Sequence, residues 1–573
     1  MTAIARQSVS EVLATMNAEF APFVAGFCDA RYILWIGSGV SRDVVPGLFD
    51  LLVKVLEFVR SKIDHTDRAC PYLRALNEIL DIGSVPKSIR EKLDIAAPVD
   101  EWPDLEDIVG RLSDRYEKVL NVQVNAHDPD YLVWEAVDPA RTYGDPTLVP
   151  DSEHLCIAIL MLEGVVRFAP TTNWDGLVEA AMARLTGDAA AHIRVVVLPG
   201  DLRGSDARPE LVKFHGCAVL AAQDESIYRS KLVARALQIS TWGVQSENQL
   251  MVGHLSKLFT TFDALFVGLS AQDANIQSFF GQGIASLDRS WPVTPPAVVF
   301  AEETLQHNHE LVLQVVYGAT FSDNRTDIEA SALLGAYAKP VLIALVLVVL
   351  AEKFCVWISA AFDALFSEDQ VERIRADLRS LRDIIGVLAK VDDPRSFVDA
   401  LIEVVSFALI VFREGRKPDP VTPDYRPISP FPATEAHRQP DFPAPAFGRF
   451  GVALSVFGRG LAEGRWSLFA GSPVDPSDGV VRVMNDRGVS RIFVVSDARA
   501  MSQLEIDGVI DLRDADLVVV IAKASQVPAT RSPLSVFGRT GFTGARQVDL
   551  EGVCSTVKTA DELFEAFTLE AAI

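Results

Sequence analysis

Four short motifs of glycine and polar residues follow apolar runs of this 573-residue chain, each at the point where a run ends. In order they are residues 37–41 (GSGVS), 171–175 (TTNWD), 214–216 (FHG) and 268–270 (GLS). The runs lack the alternation of apolar and polar residues that marks a half-exposed strand, which favours strands of a parallel sheet covered on both faces. Because the carboxyl ends of parallel strands share one edge, the motifs are predicted to meet there.

Strand candidates and helical stretches alternate from about residue 30 to residue 330, which predicts an α/β, Rossmann-like parallel sheet. Residues 48–63 and 176–185 are among the helical stretches. Residues 70–153 contain acidic and proline-rich stretches, and we interpret them as a helical insertion that covers the site. The predicted strands are residues 32–36, 165–169, 194–198, 211–214, 264–269 and 297–301.

A run of 12 apolar residues, 340–351, lies in a segment that we predict to be all-helical. A helix of that length spans about 18 Å at about 1.5 Å per residue, against about 30 Å for the hydrocarbon core of a bilayer. Lys339 and Glu352 bracket the run, so we predict no membrane span but a helix buried in the protein or against another subunit. A helix that is apolar on every side must be covered, which favours a homo-oligomer.

The later part of the chain contains a segment with nine prolines, residues 417–447, which we interpret as a linker. Beyond it we predict a second α/β unit. Its predicted elements are strands at residues 466–470, 491–495 and 517–521 and a closing helix at residues 560–571. The predicted domains are the first α/β domain, the helical segment, the linker and the C-terminal α/β domain, at residues 1–330, 331–416, 417–447 and 448–573.

The net charge of −24 argues against one class of partner. An acidic surface repels the phosphate backbone, so we expect no direct binding of nucleic acid. The six cysteines are scattered and form no CxxC pair, so no zinc ribbon or redox dithiol is encoded and no metal is expected. The scattered cysteines, and residues 1–19 that mix polar and apolar types without the apolar core of a secretory signal, predict a cytoplasmic protein.

Each motif has a structural and a functional interpretation. Glycines after a strand suit a tight turn, and they also let backbone N–H groups approach a pyrophosphate. Asn173 and Asp175 can cap the following helix, or they can bind a ribose hydroxyl, a carboxamide or a water. A lone histidine such as His215 is commonly a half-buried core residue. Because Asn173 and the glycine turn are predicted at the same edge of the sheet, we favour a functional role for it. Taken together, the four motifs indicate a nucleotide site.

In this order the motifs resemble the sirtuin-like NAD-binding fold, over roughly residues 20–330. The TTNWD form and the G-x-S-x-x-D ending resemble the sirtuin-like NADases of bacterial anti-phage defence. The resemblance implies NAD+ as the substrate. It implies catalytic roles for Asn173, His215 and Asp175. The residues that it implies for nucleotide binding are Gly37, Ser38, Gly39, Ser41, Thr172, Gly268, Ser270 and Asp273.

Two departures from sirtuin deacylases change the expected reaction. The chain lacks their four-cysteine zinc module, and residues 42–47 read RDVVPG in place of a Pro-Asp-Phe-Arg run. Both favour hydrolysis of NAD+ to nicotinamide and ADP-ribose over deacylation. The resemblance implies an effector that depletes NAD+ in abortive infection. The alternative is a catalytically silent subunit that binds NAD or ADP-ribose in a defence complex.

The resemblance also bears on regulation and partners. A separate protein of a defence operon, such as a HerA-type ATPase or a nucleotide-handling enzyme, is a possible partner. The C-terminal unit is predicted to be regulatory or to serve docking. Residues 450–454 and 464–472 resemble SLOG nucleotide-sensing domains, which would imply ligand sensing instead.

Overall fold

The computed structural model contains two β-sheets joined by a body of helices. The α/β class predicted from the sequence is confirmed. The residues that the structure describes are 7–125, 127–204, 207–270, 290–362, 366–418, 425–471, 474–523 and 544–573.

The described residues form a first sheet of six strands, all paired in parallel. The strands are β1 (Tyr32–Ile36), β2 (Phe168–Thr171), β3 (Arg194–Val196), β4 (Glu210–Lys213), β5 (Asp263–Val267) and β6 (Val298–Ala301). Their order is β3-β4-β2-β1-β5-β6. The strands β2, β4 and β3 lie on one side of β1, and the strands β5 and β6 lie on its other side, so the strand order reverses at β1. Ligands bind at such a reversal of strand order in open parallel sheets.

One predicted strand is displaced along the chain. The strand expected at residues 165–169 is observed at Phe168–Thr171. The N–H groups of Val165 and Val166 donate to Leu160 O and close the preceding helix, so they do not enter the sheet. The other five predicted strands of this sheet overlap the observed ones.

Helices cover both faces of the first sheet, as the apolar strands require. Leu34 and Ile36 of β1 pack in one apolar cluster, and Ile33 and Trp35 pack in another. The helices are Val9–Asn17, Ala21–Cys28, Ser152–Leu162, Leu177–Thr186, Ala189–His192, Ala218–Gln223, Glu225–Tyr228, Ala236–Trp242, Gln249–Thr261, His307–Tyr317 and Phe321–Ala332.

A group of helices between β1 and β2, residues 48–143, has an apolar cluster of its own, and we call it the cap. It contacts the first sheet domain at the TTNWD loop, where the rings of Tyr143 and Trp174 meet with centroids 5.8 Å apart. The cap helices are Leu48–Ser61, Pro71–Ile82, Lys87–Arg90, Leu105–Ser113, Tyr116–Val119, Leu132–Val137 (a π-helix) and Pro139–Thr142.

The helix Ala338–Ile358, which we call the central helix, is buried on nearly every side. It contacts the helices Val9–Asn17, Ser152–Leu162, Glu368–Val387 and Ala444–Ala462. Among the described residues, one helix is long and apolar enough to cross a membrane, and 83% of its most apolar window is buried within the fold. The prediction that this segment is a buried helix is therefore confirmed, and helices of the same chain provide the cover.

Near the C-terminus, the described residues form a second sheet of five strands. Its strands are β7 (Ser467–Ala470), β8 (Val481–Asn485), β9 (Gly488–Asp497), β10 (Leu517–Lys523) and β11 (Arg546–Asp549), in the order β11-β10-β9-β8-β7. β8 and β11 were not predicted, because they are short and mix polar with apolar residues. The remaining helices are Glu368–Val387, Pro394–Glu414, Ala433–Ala436, Ala444–Ala462, Ala498–Ile506, Leu550–Thr556 and Ala560–Ala571.

The described part of the proline-rich segment, residues 425–447, packs closely against the central helix. A buried ion pair organises this contact, because Lys353 Nζ donates to Glu163 Oε2 and to Ser429 O, each at 2.6 Å. The Tyr425 hydroxyl donates to the other oxygen of the same carboxylate at 2.8 Å. A buried charge is costly unless it is paired and hydrogen-bonded, and both conditions hold here.

Candidate functional site

The strand register brings the four motifs to one edge of the first sheet. Ile36 is paired with both Thr171 and Val267, Thr171 is paired with Lys213, and Val267 is paired with Ala301. Each motif begins within one residue of these aligned positions. The prediction that the motifs share the carboxyl edge is confirmed.

The glycine turn after β1 packs directly on the turn after β5. The N–H groups of Gly37 and Gly39 donate to Val267 O and Gly268 O, at 3.0 and 2.9 Å. A Cβ atom on Gly37 would lie 2.3 Å from Gly268 O, so no larger residue fits. Gly268 itself has a φ of +62°, which favours glycine. The glycines thus serve the contact between two turns, and the amides of Gly37 and Gly39 already have acceptors in the protein.

Asn173, Ser41 and Asp175 form one hydrogen-bonded group at this edge. Asn173 Nδ2 donates to Gly37 O at 3.1 Å and lies 3.4 Å from Ser41 Oγ. Ser41 Oγ donates to Asp175 Oδ2 at 3.0 Å. The other carboxylate oxygen, Oδ1, accepts the N–H of Leu177 at 3.1 Å at the start of the next helix. Asp175 therefore caps a helix with one oxygen and faces the candidate site with the other.

The Asn173 amide oxygen has no partner in the part of the chain that the structure describes. Oδ1 is buried and accepts no hydrogen bond from the residues that the structure describes. The bond from Nδ2 to Gly37 O fixes which way the amide faces. A buried acceptor without a partner is costly, so this oxygen is suited to a donor that a ligand or a water brings.

His154, which the sequence analysis did not select, joins the same group. Its Nε2 lies 3.1 Å from Ser41 Oγ, and its Nδ1 accepts the N–H of Asp151 at 3.1 Å. The imidazole is 1% exposed, and burial lowers its pKa despite the nearby carboxylates of Asp175 and Asp151. One sequence signal could have drawn attention to His154. The spacing Asp151-x-x-His154 is that of an N-cap residue and the third residue of a helix, which exchange hydrogen bonds in a capping box.

His215 stands at the end of β4, in a position that corresponds to Asn173 at the end of β2. Thr171 is paired with Lys213, and each candidate residue follows two positions later. The imidazole is buried and packs against Phe214, with ring centroids 4.6 Å apart. Gly216, with a φ of +94°, turns the chain directly after it. The register thus makes Asn173 and His215 neighbours on adjacent strand ends.

Buried Lys213 ties β4 to the loop after β2. Its Nζ donates to Asp175 O and, at 2.6 Å, to Glu179 Oε1. Burial alone would lower the pKa of Lys213, but the neighbouring Glu179, Cys217 and Asp175 raise it above its ordinary value. The ammonium therefore stays charged and fixes the backbone on which Asp175 is carried.

A cavity of about 360 Å³ opens beside the two glycine turns. Ser38 and Gly39 line it from the turn after β1, and Gly268 and Ser270 line it from the turn after β5. Further lining residues come from the segment after the first glycine turn, from the helix before β2, from the chain just after β6 and from the helical region beyond it; they include Arg42, Glu153, Glu302, Glu303, Tyr337, Lys339 and Lys390. The cavity therefore gathers four of the residues predicted to bind a nucleotide.

Two carboxyl groups of this cavity have raised pKa values. Burial raises the pKa of Glu153 to about 7, although Lys339 opposes the shift. Burial also raises the pKa of Glu302 to about 7, with Arg42 lowering it and Glu303 adding to the rise. Each group changes charge near neutral pH.

Lys339, at the start of the central helix, pairs with a cluster of carboxylates at the cavity wall. Its Nζ lies 2.7 Å from Asp43 Oδ2, 3.0 Å from Asp151 Oδ2 and 3.5 Å from Glu153 Oε1. The pKa of Lys339 is raised, because these carboxylates outweigh the effect of burial. The ammonium therefore stays charged and offsets part of the negative charge of this cluster.

Two predicted residues stand apart from these contacts. Thr172 is half-buried. The threonine that bonds within this turn is its neighbour Thr171, whose Oγ1 accepts the N–H of Asn173 at 3.0 Å. Asp273 lies outside the described residues. The roles of both stay predictions.

The family comparison agrees with this geometry. Residues 167–317 match the SIR2-like domain model, which supports a sirtuin-like family for this part of the chain. The matched region begins just before β2 and ends with the helix His307–Tyr317, so it contains Asn173, Asp175 and His215. No curated protein matches the chain.

Proposed function

We propose that this chain is an NAD+ glycohydrolase, which releases nicotinamide and ADP-ribose. The observation that carries the proposal is the Asn173 amide, which is held by Gly37 O and presents a buried oxygen without a partner among the described residues. It lies at the sheet edge inside the region that matches the SIR2-like domain, a domain type linked to NAD.

The cavity beside the glycine turns suits the adenosine and pyrophosphate half of NAD+. It is lined by both turns, and Arg42 and Lys390 bring positive charge to it. Because the amides of Gly37 and Gly39 donate within the protein, the pyrophosphate would rely on Ser38, Ser270 and these cations. Charge-assisted bonds to phosphate oxygens are the stronger kind.

The reaction needs little acid catalysis. Breaking the bond between nicotinamide and C1′ lets nicotinamide leave as a neutral molecule and builds positive charge on the ribose. A water then adds to C1′ and its proton is lost. Negative charge fixed near the ribose lowers the barrier, because it is already oriented when the charge develops.

In this proposal each residue has a stated role. Asn173 Oδ1 accepts a hydrogen bond from the carboxamide or from the attacking water. Asp175, held in place by its bond from Ser41, supplies the negative charge and orients the ribose. His215 bonds a ribose hydroxyl and assists in removing the proton.

The direct test is incubation of the purified chain with NAD+, followed by chromatography for nicotinamide and ADP-ribose. We expect equal amounts of both products. Calorimetry with NAD+ and with ADP-ribose distinguishes this enzyme from the alternative, a catalytically silent binding subunit. Such a subunit would bind either compound and release no nicotinamide. Absence of both binding and cleavage would contradict a nucleotide site.

The cellular role that we propose is depletion of NAD+ during phage infection, as a homo-oligomer or with a partner from the same operon. Support comes from the motif resemblance to defence NADases. The test is measurement of NAD+ in infected bacteria that carry the chain or its Asn173→Ala variant. An equal fall of NAD+ in both would contradict this role.

A further inference from the structure

We infer that His154 is a positioning residue of the candidate site. Its neutral imidazole directs the Ser41 hydroxyl toward Asp175 and so fixes the polar group that contains Asn173. The inference deepens the proposed function and rests on it for its kinetic test. His154 reaches the site from the helix Ser152–Leu162, 113 residues from Ser41 along the chain.

The hydrogen bonds determine which nitrogen carries the proton. The backbone N–H of Asp151 can only donate, so Nδ1 of His154, 3.1 Å away, must accept. In the neutral ring the proton is then on Nε2, which donates to Ser41 Oγ at 3.1 Å. One tautomer alone satisfies both contacts.

The same logic settles the direction of the Ser41 hydroxyl. Its oxygen faces one donor in His154 and a second in the Asn173 amide nitrogen at 3.4 Å. Its proton therefore points to Asp175 Oδ2 at 3.0 Å, an oxygen that accepts and cannot donate when ionised. Without the bond from His154 the hydroxyl is free to rotate away from Asp175.

The surroundings of His154 favour the neutral ring. Burial is the largest influence and lowers its pKa. The charged groups around it are Asp175 and Asp151, which raise the pKa, and Lys339 and Arg395, which lower it. A protonated ring would place a second donor at Nδ1 against the N–H of Asp151, and the contact at 3.1 Å would be lost.

A positioning role predicts a fall in kcat with little change in KM. His154 does not line the cavity proposed for the adenosine half of NAD+, so substrate affinity is spared. We expect His154→Leu to lower kcat about tenfold to a hundredfold, by analogy with the loss on removing a residue that orients a metal-binding side chain. His154→Gln keeps a donor for Ser41 and is expected to recover part of the loss.

The matched control is Ile157→Val, which removes one methyl group from a buried residue of the same helix. It is expected to reduce stability slightly and leave kcat unchanged. If His154 acts through Ser41, then adding His154→Leu to Ser41→Ala costs no further activity, because the two changes remove one interaction. Losses that multiply, or a Gln variant no better than Leu, would overturn the inference.

A measurement without substrate keeps this test separate from the proposed function. Nitrogen-15 NMR of labelled histidine, with His154→Leu for assignment, is expected to show a bare Nδ1 and a protonated Nε2. The ring should stay neutral below the ordinary histidine pKa of about 6.5. The opposite tautomer, or ordinary titration, would overturn the inference even in an active protein. If the wild type binds NAD+ but does not cleave it, the proposed reaction fails and the tautomer result still decides the role of His154.

Discussion

The two sheets use the polar residues at their strand ends differently. Asp497 ends β9 and Asp549 ends β11, and each carboxylate accepts N–H groups from the first turn of the next helix at 3.0–3.2 Å. Asp175, after β2, caps its helix with one oxygen and keeps the other for Ser41. Asn173 keeps an oxygen with no partner among the described residues. What marks the first sheet is therefore a buried acceptor without a partner among the described residues, beside a capping carboxylate that also bonds a second side chain.

The largest effect is expected from Asn173→Ala, which removes a buried acceptor that has no partner among the described residues. Nicotinamide release should fall about a hundredfold to a thousandfold, the loss typical of removing one oriented polar group. The assay is chromatography of NAD+ digests, with circular dichroism to verify the fold.

Asn77→Ala is the matched control for that experiment. Asn77 is exposed on a cap helix, and its amide donates to Leu73 O. We expect full activity from this variant. Equal activity in both asparagine variants would remove Asn173 from the proposed mechanism.

The contact between the two glycine turns is tested by Gly37→Ala. The new methyl group would meet Gly268 O at 2.3 Å, so the turns must separate. Overpacking of this kind typically costs about 1–3 kcal/mol, and we expect weaker NAD+ binding as well. Denaturant unfolding and calorimetry measure the two effects.

Gly253→Ala provides the control within the same domain. Gly253 lies in the helix Gln249–Thr261, and a Cβ atom there would meet nothing within 4 Å. Alanine is the better helix former by about 1 kcal/mol, so this variant should gain stability and keep NAD+ binding. A gain at Gly37 as well would show that the close approach of the turns is unimportant.

The second sheet provides a test of pure capping. Asp497→Ala removes the cap of the helix Ala498–Ile506 and should cost about 1 kcal/mol of stability. NAD+ cleavage should not change, because this carboxylate serves its own helix. Thermal unfolding and the NAD+ assay measure both, and a loss of activity at unchanged stability would contradict the distinction between the sheets.

A pH-dependent effect, confined to stability, is expected from Glu302→Gln at the cavity. Burial raises the pKa of Glu302 from 4.5 to about 7 in the folded protein, so the unfolded chain loses its proton first as the pH rises. The wild type should lose stability across that range, and glutamine should not. Glutamine should therefore stabilise the protein more at about pH 8 than at about pH 5.5. Urea unfolding at both pH values measures this. An equal difference in stability between the variant and the wild type at the two pH values would contradict the raised pKa of Glu302.

Strand prediction succeeded where runs were apolar and failed where they were mixed. β1 was predicted to the residue, since all five of its side chains are buried and one continuous run signals this. β8 and β11 were missed, because each is short and only partly buried. Val165 and Val166 were assigned to β2 on the same apolar signal, although their amides close a helix. Apolarity reports burial and does not report where a backbone N–H group donates.

The sequence by itself determined the parallel sheet, the order of the motifs and their place at strand ends, because parallel pairing brings every strand end to one edge. The tertiary structure decided which of those residues keep free bonding capacity. The amides of Gly37 and Gly39 donate to the carbonyls of Val267 and Gly268 at the end of β5, and Ser41 is oriented by His154 from a distant helix. Hydrogen-bond capacity is consumed by partners far along the chain, and no local pattern records which partners those will be.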